Sequence, residues 1–325
     1  MATTTQQLQT ALRNSQTRKS RSLWSDAWRR LRRNKAAVMG MIVIIGFILI
    51  AIFAPLLAPH NPVQQVPNNS LRLPIWVPSA NPSNAPDPNY PLGTDLLGRD
   101  ILSRLIYATR VSLIVGLIPT AIIVLIGVPL GLVSGFSGGW VDNLIMRFTD
   151  IIYAFPDLLF IIAISVALRE TWFGQLFNGL VLIFVALAIT GWVGLARLVR
   201  GQVLSLKQKE FIEAAHTIGV SRNSILLKHV LPNTLAPVIV TISFAIPGAI
   251  LAESTLTFLG AGMRPSVDPG NPFPTSWGSM LIDGLANLNA NPWLLFLPAI
   301  CIAIVMLAFT FIGDGLRDAL DPRDN

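Results

Sequence analysis

Carboxylates set in apolar sequence are where this chain could do chemistry. Glu253 lies late in the apolar run 235–258, and Asp157 follows Pro156 inside the run 151–168. A charge held in hydrocarbon is costly and by default marks an ion or substrate path. Glu253 therefore has two readings. It lines such a path and favours a cationic amine, for instance a peptide N-terminus, or it is structural, pairing with a neighbouring helix or facing outer water. For Asp157, a capping or loop-packing role stands ahead of a transport role. Asp150 and Arg147, three apart on one helix face, are expected to pair at about 0.2–0.5 kcal/mol. His60, His216 and His229 fall in segments on opposite sides of the apolar runs, which leaves no three-histidine metal site. Cys301, the one cysteine, reads as a small buried hydrophobe, so no disulfide or thiolate cluster forms within the chain. None of the five lysines (19, 35, 207, 209, 228) follows a glycine, so the Gly-Lys loop that cradles nucleotide phosphates is missing.

A second constellation lies in residues 201–232. From Lys207 to Ile218 the chain fits about three helical turns, with Phe211, Ala214, Ala215 and Ile218 at i, i+3, i+4 and i+7 as one apolar stripe. Two adjacent alanines leave room for another backbone, and Glu210 and Glu213 flank them. Gly219 is placed to end the helix with positive φ. Ser221 caps a second helix, which is expected to bury Leu227, Val230 and Leu231 until Pro232 stops the register. His216 and His229 are polar members of this pair. Either something docks on it, or it packs on its own membrane domain.

The elements that position these groups are set by lipid. Of the 325 residues, 52% are hydrophobic and 13% charged, against about 25% charged in soluble domains. The +7 net charge lies between apolar runs rather than on one folded face, as a nucleic-acid binder would need. Six runs are long enough to span roughly 30 Å of hydrocarbon. They are Ala36–Leu57, Val111–Val133, Ile151–Leu168, Gly179–Leu195, Leu235–Phe258 and Trp293–Ile312. Nine Lys and Arg precede the first run and six lie between the fourth and fifth. Arg147, Arg317 and Arg323 join them on the same side, and six face the other way. The excess puts both termini in the cytoplasm. The arm to about Ser20 is expected to be disordered. Arg29, Arg30, Arg32 and Arg33 would sit against anionic lipid.

Nine prolines between 59 and 91 deny the external loop regular structure. It is either an ordered irregular cover or a flexible linker. Thr94 or Asp95 is expected to cap an amphipathic surface helix through Leu97, Ile101, Leu105 and Ala108, leading into the second span. Pro119, Pro129, Pro156 and Pro247 bend their spans, either around a path or as ordinary membrane packing. The organisation expected is an arm (1–35), a first span (36–58), an external loop with its amphipathic helix (59–110), a five-span core (111–316) and a tail (317–325).

Glu213-Ala214-Ala215, Gly219 and Leu231-Pro232 together resemble the cytoplasmic loop of binding-protein-dependent ABC importer permeases. Other segments resemble the dipeptide/oligopeptide/nickel branch, and within it the second permease subunit. These are Trp28 with Arg29–Ala36, Leu92–Asp95 with Gly98–Asp100, Gly138–Asp142, Met146-Arg147, Asp150 and Ala154–Pro156. Glu253, Phe258–Gly260, Ser276–Gly278, Gly313-Asp314 and Asp321-Pro322 continue the order from about residue 24 to 323. The resemblance implies an all-α type I permease bundle with cytoplasmic coupling helices, in the bacterial inner membrane. It implies Phe211, Glu213, Ala214, Ala215, Ile218 and Gly219 as the element gripped by an ATPase, with Pro232 ending it. His229 stands where the widest form of the pattern has an aliphatic residue, and the peptide branch is similar there. The implied partners are a second homologous permease, two ATP-binding subunits holding ATP and Mg, and an external solute-binding protein. The chain itself would be non-catalytic and without a cofactor, and short peptides are the expected cargo. An ion-gradient-driven secondary transporter using Glu253 or Asp157 is the alternative. Against it, no inverted repeat relates the first three runs to the last three.

Overall fold

The structure is a computed structural model that describes residues 23–320. The arm to about Ser20 and the tail beyond Leu320 lie outside the described residues. Among those described the chain is all-α, with a single isolated bridge between Thr94 and Asp100. Ten helices matter here: α1 Leu23–Arg33, α2 Lys35–Ile52, α3 Ile101–Ser137, α4 Gly139–Tyr153, α5 Asp157–Leu168, α6 Leu180–Lys207, α7 Glu210–Thr217, α8 Leu231–Phe258, α9 Trp277–Ala286 and α10 Trp293–Leu320.

Five segments are long and apolar enough to cross a membrane, and the α4–α5 pair makes a sixth only if counted across an 80° bend. The third run therefore does not form the single span Ile151–Leu168. Pro156 lacks an N–H and pushes the preceding residue out of helical geometry, so the helix stops at Tyr153 and restarts at Asp157. Asp150 also departs from expectation, bonding Arg197 of α6 at 2.8 Å instead of Arg147.

The second span is longer than expected. The surface helix foreseen before it is the first part of α3 itself, 37 residues long or about 55 Å at 1.5 Å per residue. Its cap is Asp100, whose side chain accepts from the Leu102 and Ser103 amides, and not Thr94 or Asp95. Gly93 and Gly98 have φ of +81° and +72°, so the chain turns twice there, and Leu97 is left exposed. Ile101, Leu105 and Ala108 are buried as expected.

The most extensive helix contact is between α3 and α6. Gly127, Gly131 and Gly135 repeat every four residues along the seam. A Cβ at Gly131 would lie 2.5 Å from the Ala196 carbonyl oxygen. Small residues at this spacing let helix backbones approach closely in lipid, where packing rather than water exclusion holds helices together.

The proline-rich loop is an ordered cover on the N-terminal end of α3. Val66 and Leu71 amides donate to Leu97 and Asp95 carbonyls (3.2 and 2.9 Å), and Thr94 donates to Arg72 (3.1 Å). Beneath it, Asp95 accepts from Arg99 (2.6 Å) and from Arg104. Both arginines reach on to Asp283 of α9, at 3.2 and 2.9 Å. Arg104 is 1% exposed, so this charge-balanced quartet is an internal staple. The far end of α3 meets the α6–α8 connection, at Lys207 and Arg222.

Candidate coupling surface and central cavity

The last carbonyls of α3 anchor the end opposite the cover. Lys207 and Arg222 both donate to the Phe136 carbonyl, each at 3.1 Å. Both cations also stand over the Phe136 ring. Orphan carbonyls at a helix C-terminus carry partial negative charge, so each cation there is worth about 0.3–1 kcal/mol. Nearby, Arg200 of α6 grips Asp142 of α4 with two parallel bonds of 2.6 and 2.7 Å. The Ser134 hydroxyl donates to the same carboxylate. Planar bidentate pairing fixes direction as well as distance, so α3, α4 and α6 form a braced platform. Sequence reasoning missed this clamp. Asp142 stood in a quoted motif and Arg200 in the charge count, but nothing local joins residues 58 apart.

Helix α7 rests on that platform through Ile212 (1% exposed) and Ala215, in one cluster with Val199, Val203, Ile225 and Val230. The expected stripe therefore divides. Ala215 turns inward, while Phe211, Ala214 and Ile218 share the opposite, open face. Phe211 is 46% and Ile218 78% exposed. Glu213 is exposed too, and its carboxylate has no partner among the described residues. Ile212 was the missed anchor, and its i, i+3 spacing to Ala215 was the available signal.

Gly219 ends the helix as expected, at φ +80°. The Val220 amide reaches back to Ala215 and the Gly219 amide to His216, both at 3.0 Å, a closure that satisfies two orphan carbonyls. Downstream the structure corrects three expectations. Ser221 precedes the next helix without a side-chain cap bond. Leu227 is exposed, and Ile225 joins Val230 inside. Pro232 does not stop the register. A π-helical turn over Leu226–Val230 precedes it and α8 runs straight on, so residues 222–258 form one apolar segment. The wider turn, with the Leu231 amide bonding Leu226 five residues back, relieves the crowding that proline causes in an ordinary helix.

Between α3, α5, α6 and α8 lies a cavity of about 370 Å³, within the range of roughly 300–1,000 Å³ typical of small-ligand sites. Its walls include Thr120, Thr190, Gly194, Thr241 and Gly248, with Asp157 at the start of α5. Glu253, expected at a path, is not in this lining. It is fully buried, accepting from Thr257 at 2.8 Å and Ser254 at 3.4 Å. Ser276 at the start of α9 bonds it as well, so Glu253 ties its helix to a neighbour rather than facing an open space.

Residues 127–324, which hold the platform, α7, most of the cavity wall and α10, match the family described as binding-protein-dependent transport system inner membrane component. The chain belongs to that family. Residues 22–74 of this permease match a second description, the N-terminal TM domain of oligopeptide transport permease C. The permease is 44% identical over 304 residues to the oligopeptide transport system permease protein OppC of Haemophilus influenzae, covering 94% of this chain and 90% of that one. It is 41% identical to the protein of the same name from Bacillus subtilis, covering 94% and 92%. The Bacillus subtilis dipeptide transport system permease protein DppC is 42% identical, covering 94% and 88%. Membership in this family makes the chain a multi-pass transport permease and does not favour the ion-gradient alternative.

Proposed function

We propose that this permease pairs with a second, homologous permease to import short peptides across the bacterial inner membrane by alternating access. Two ATP-binding subunits drive the pair, and an external solute-binding protein delivers the cargo. ATP and Mg²⁺ act on those partners, because no lysine here follows a glycine. The arginine and lysine excess directs both termini and the 201–232 segment to the cytoplasm. Peptide cargo follows the relatives, whose names specify oligopeptide or dipeptide transport.

One observation carries the mechanism. Phe211, Ala214 and Ile218 form an open apolar face on a short helix whose other face is locked to the bundle. Burying Phe211 and Ile218 in a partner's groove would contribute about 1.5–3 kcal/mol each. The helix must also hold its shape under load, since moving a two-state bundle from 1:99 to 99:1 takes about 5.5 kcal/mol. The Gly219 closure and the Lys207 and Arg222 bonds supply that stiffness. The test is ATPase activity of the assembled complex, stimulated by peptide-loaded binding protein, for Glu213→Ala and Ile218→Ser. Each should lower stimulation about tenfold with assembly intact, and unaltered stimulation in both would sink the assignment.

A further inference from the structure

Asp157 is the one charged side chain among the residues lining the central cavity. The three threonines in the wall turn their hydroxyls back on their own helices. Thr120 donates to Gly116 (2.7 Å), Thr190 to Leu187 (3.4 Å) and Thr241 to Pro237 (2.8 Å). Gly194 and Gly248 leave open space where a side chain would stand. Apart from Gly191, the remaining lining is aliphatic or alanine. Asp157 is exposed, and its carboxylate makes no hydrogen bond or ion pair among the described residues. It makes no cap bond either, so the capping role expected from sequence leaves its oxygens unused. It stands in the first turn of α5. A carboxylate facing an apolar cavity without a counter-charge is complementary to a cation that arrives from elsewhere.

We propose that Asp157 receives the α-ammonium group of a peptide as it passes through the cavity, and so acts as a positioning residue for cationic N-termini. This rests on the peptide-import reading above. The geometry matches the cargo chemistry. A compact ammonium has three donors, the carboxylate accepts, and the surrounding walls are indifferent to peptide side chains. Cargo would then be oriented by its invariant cationic group and not read for sequence.

The experiment uses the complete complex in proteoliposomes, with its binding protein pre-loaded with tri-alanine. Uptake per ATP hydrolysed is compared for Asp157→Asn, Asp157→Ser and Asp157→Glu. Asp157 makes no cap bond that either variant could lose, so a purely structural role predicts near-wild-type uptake in both. The ammonium role predicts a roughly tenfold fall in both, the size of one charge-assisted hydrogen bond, with recovery in Asp157→Glu. Loaded binding protein should still stimulate ATP hydrolysis in all three. Wild-type uptake by Asp157→Asn and Asp157→Ser overturns the proposal, as does uptake by the wild-type complex that depends on sodium or potassium in place of the peptide amine. Failure of the wild-type complex to couple hydrolysis to tri-alanine uptake would instead remove the peptide-import reading.

Discussion

Ile212 and Phe211 are chain neighbours with opposite duties. Ile212 is buried under α7 while Phe211 faces out. Ile212→Ala should leave a cavity and cost about 2–5 kcal/mol, visible as a lower unfolding temperature of the purified complex. Phe211→Ala should leave that temperature unchanged and instead weaken capture of the ATP-binding subunit. Gly219 is a third case. Nothing lies within 4 Å of a Cβ built there, so Gly219→Ala should cost only the left-handed backbone, about 1–2 kcal/mol. Gly219 was legible in the sequence because its role is local: a helix must end, and positive φ favours glycine. The fate of Ala215 was not. The positions i, i+3, i+4 and i+7 define a stripe broad enough to straddle two faces, and only the position of Val199 and Val203 on α6 decides which part turns inward.

At the scale of elements, the proline residues show what sequence leaves open. Pro156 breaks its helix and Pro232 does not. The difference lies in the turn before each one, since a π turn precedes Pro232 and α4 simply ends before Pro156. The spans were legible because lipid demands long apolar runs. Their ends were not, because α3, α6 and α10 continue into polar sequence held by tertiary contacts. Lys207 at the last turn of α6 is one example, bonded 71 residues away to Phe136. The α3–α6 seam was present in the sequence as glycines 127, 131 and 135, a spacing the expectations did not use. Gly131→Leu should force these helices apart and destabilise the fold by at least about 1–3 kcal/mol. Thermal aggregation of the detergent-solubilised complex would report it.

For the whole molecule, the cover and the coupling surface occupy opposite ends of α3. The order of the cover was undecidable from composition, since its proline content suits an irregular cover as well as a linker. Long-range pairs settle it, above all Asp95 and Asp283 with Arg99 and Arg104. Removing one member of a buried charge pair strands the other and costs about 3–5 kcal/mol. Arg104→Gln should therefore loosen the cover and speed proteolysis between residues 59 and 91, while stimulated ATPase activity falls less than for Ile218→Ser.

The uninterrupted segment from Arg222 to Phe258 joins the connection that packs on α7 through Ile225 and the cavity wall in one lever. Thirty-seven residues reach about 55 Å. A tilt of roughly 10° imposed at the base would sweep Gly248, 26 residues along, through about 7 Å. On the proposed mechanism, a small rotation of a nucleotide-driven partner would thereby be enlarged, at the site where cargo would lie, to the width of a peptide.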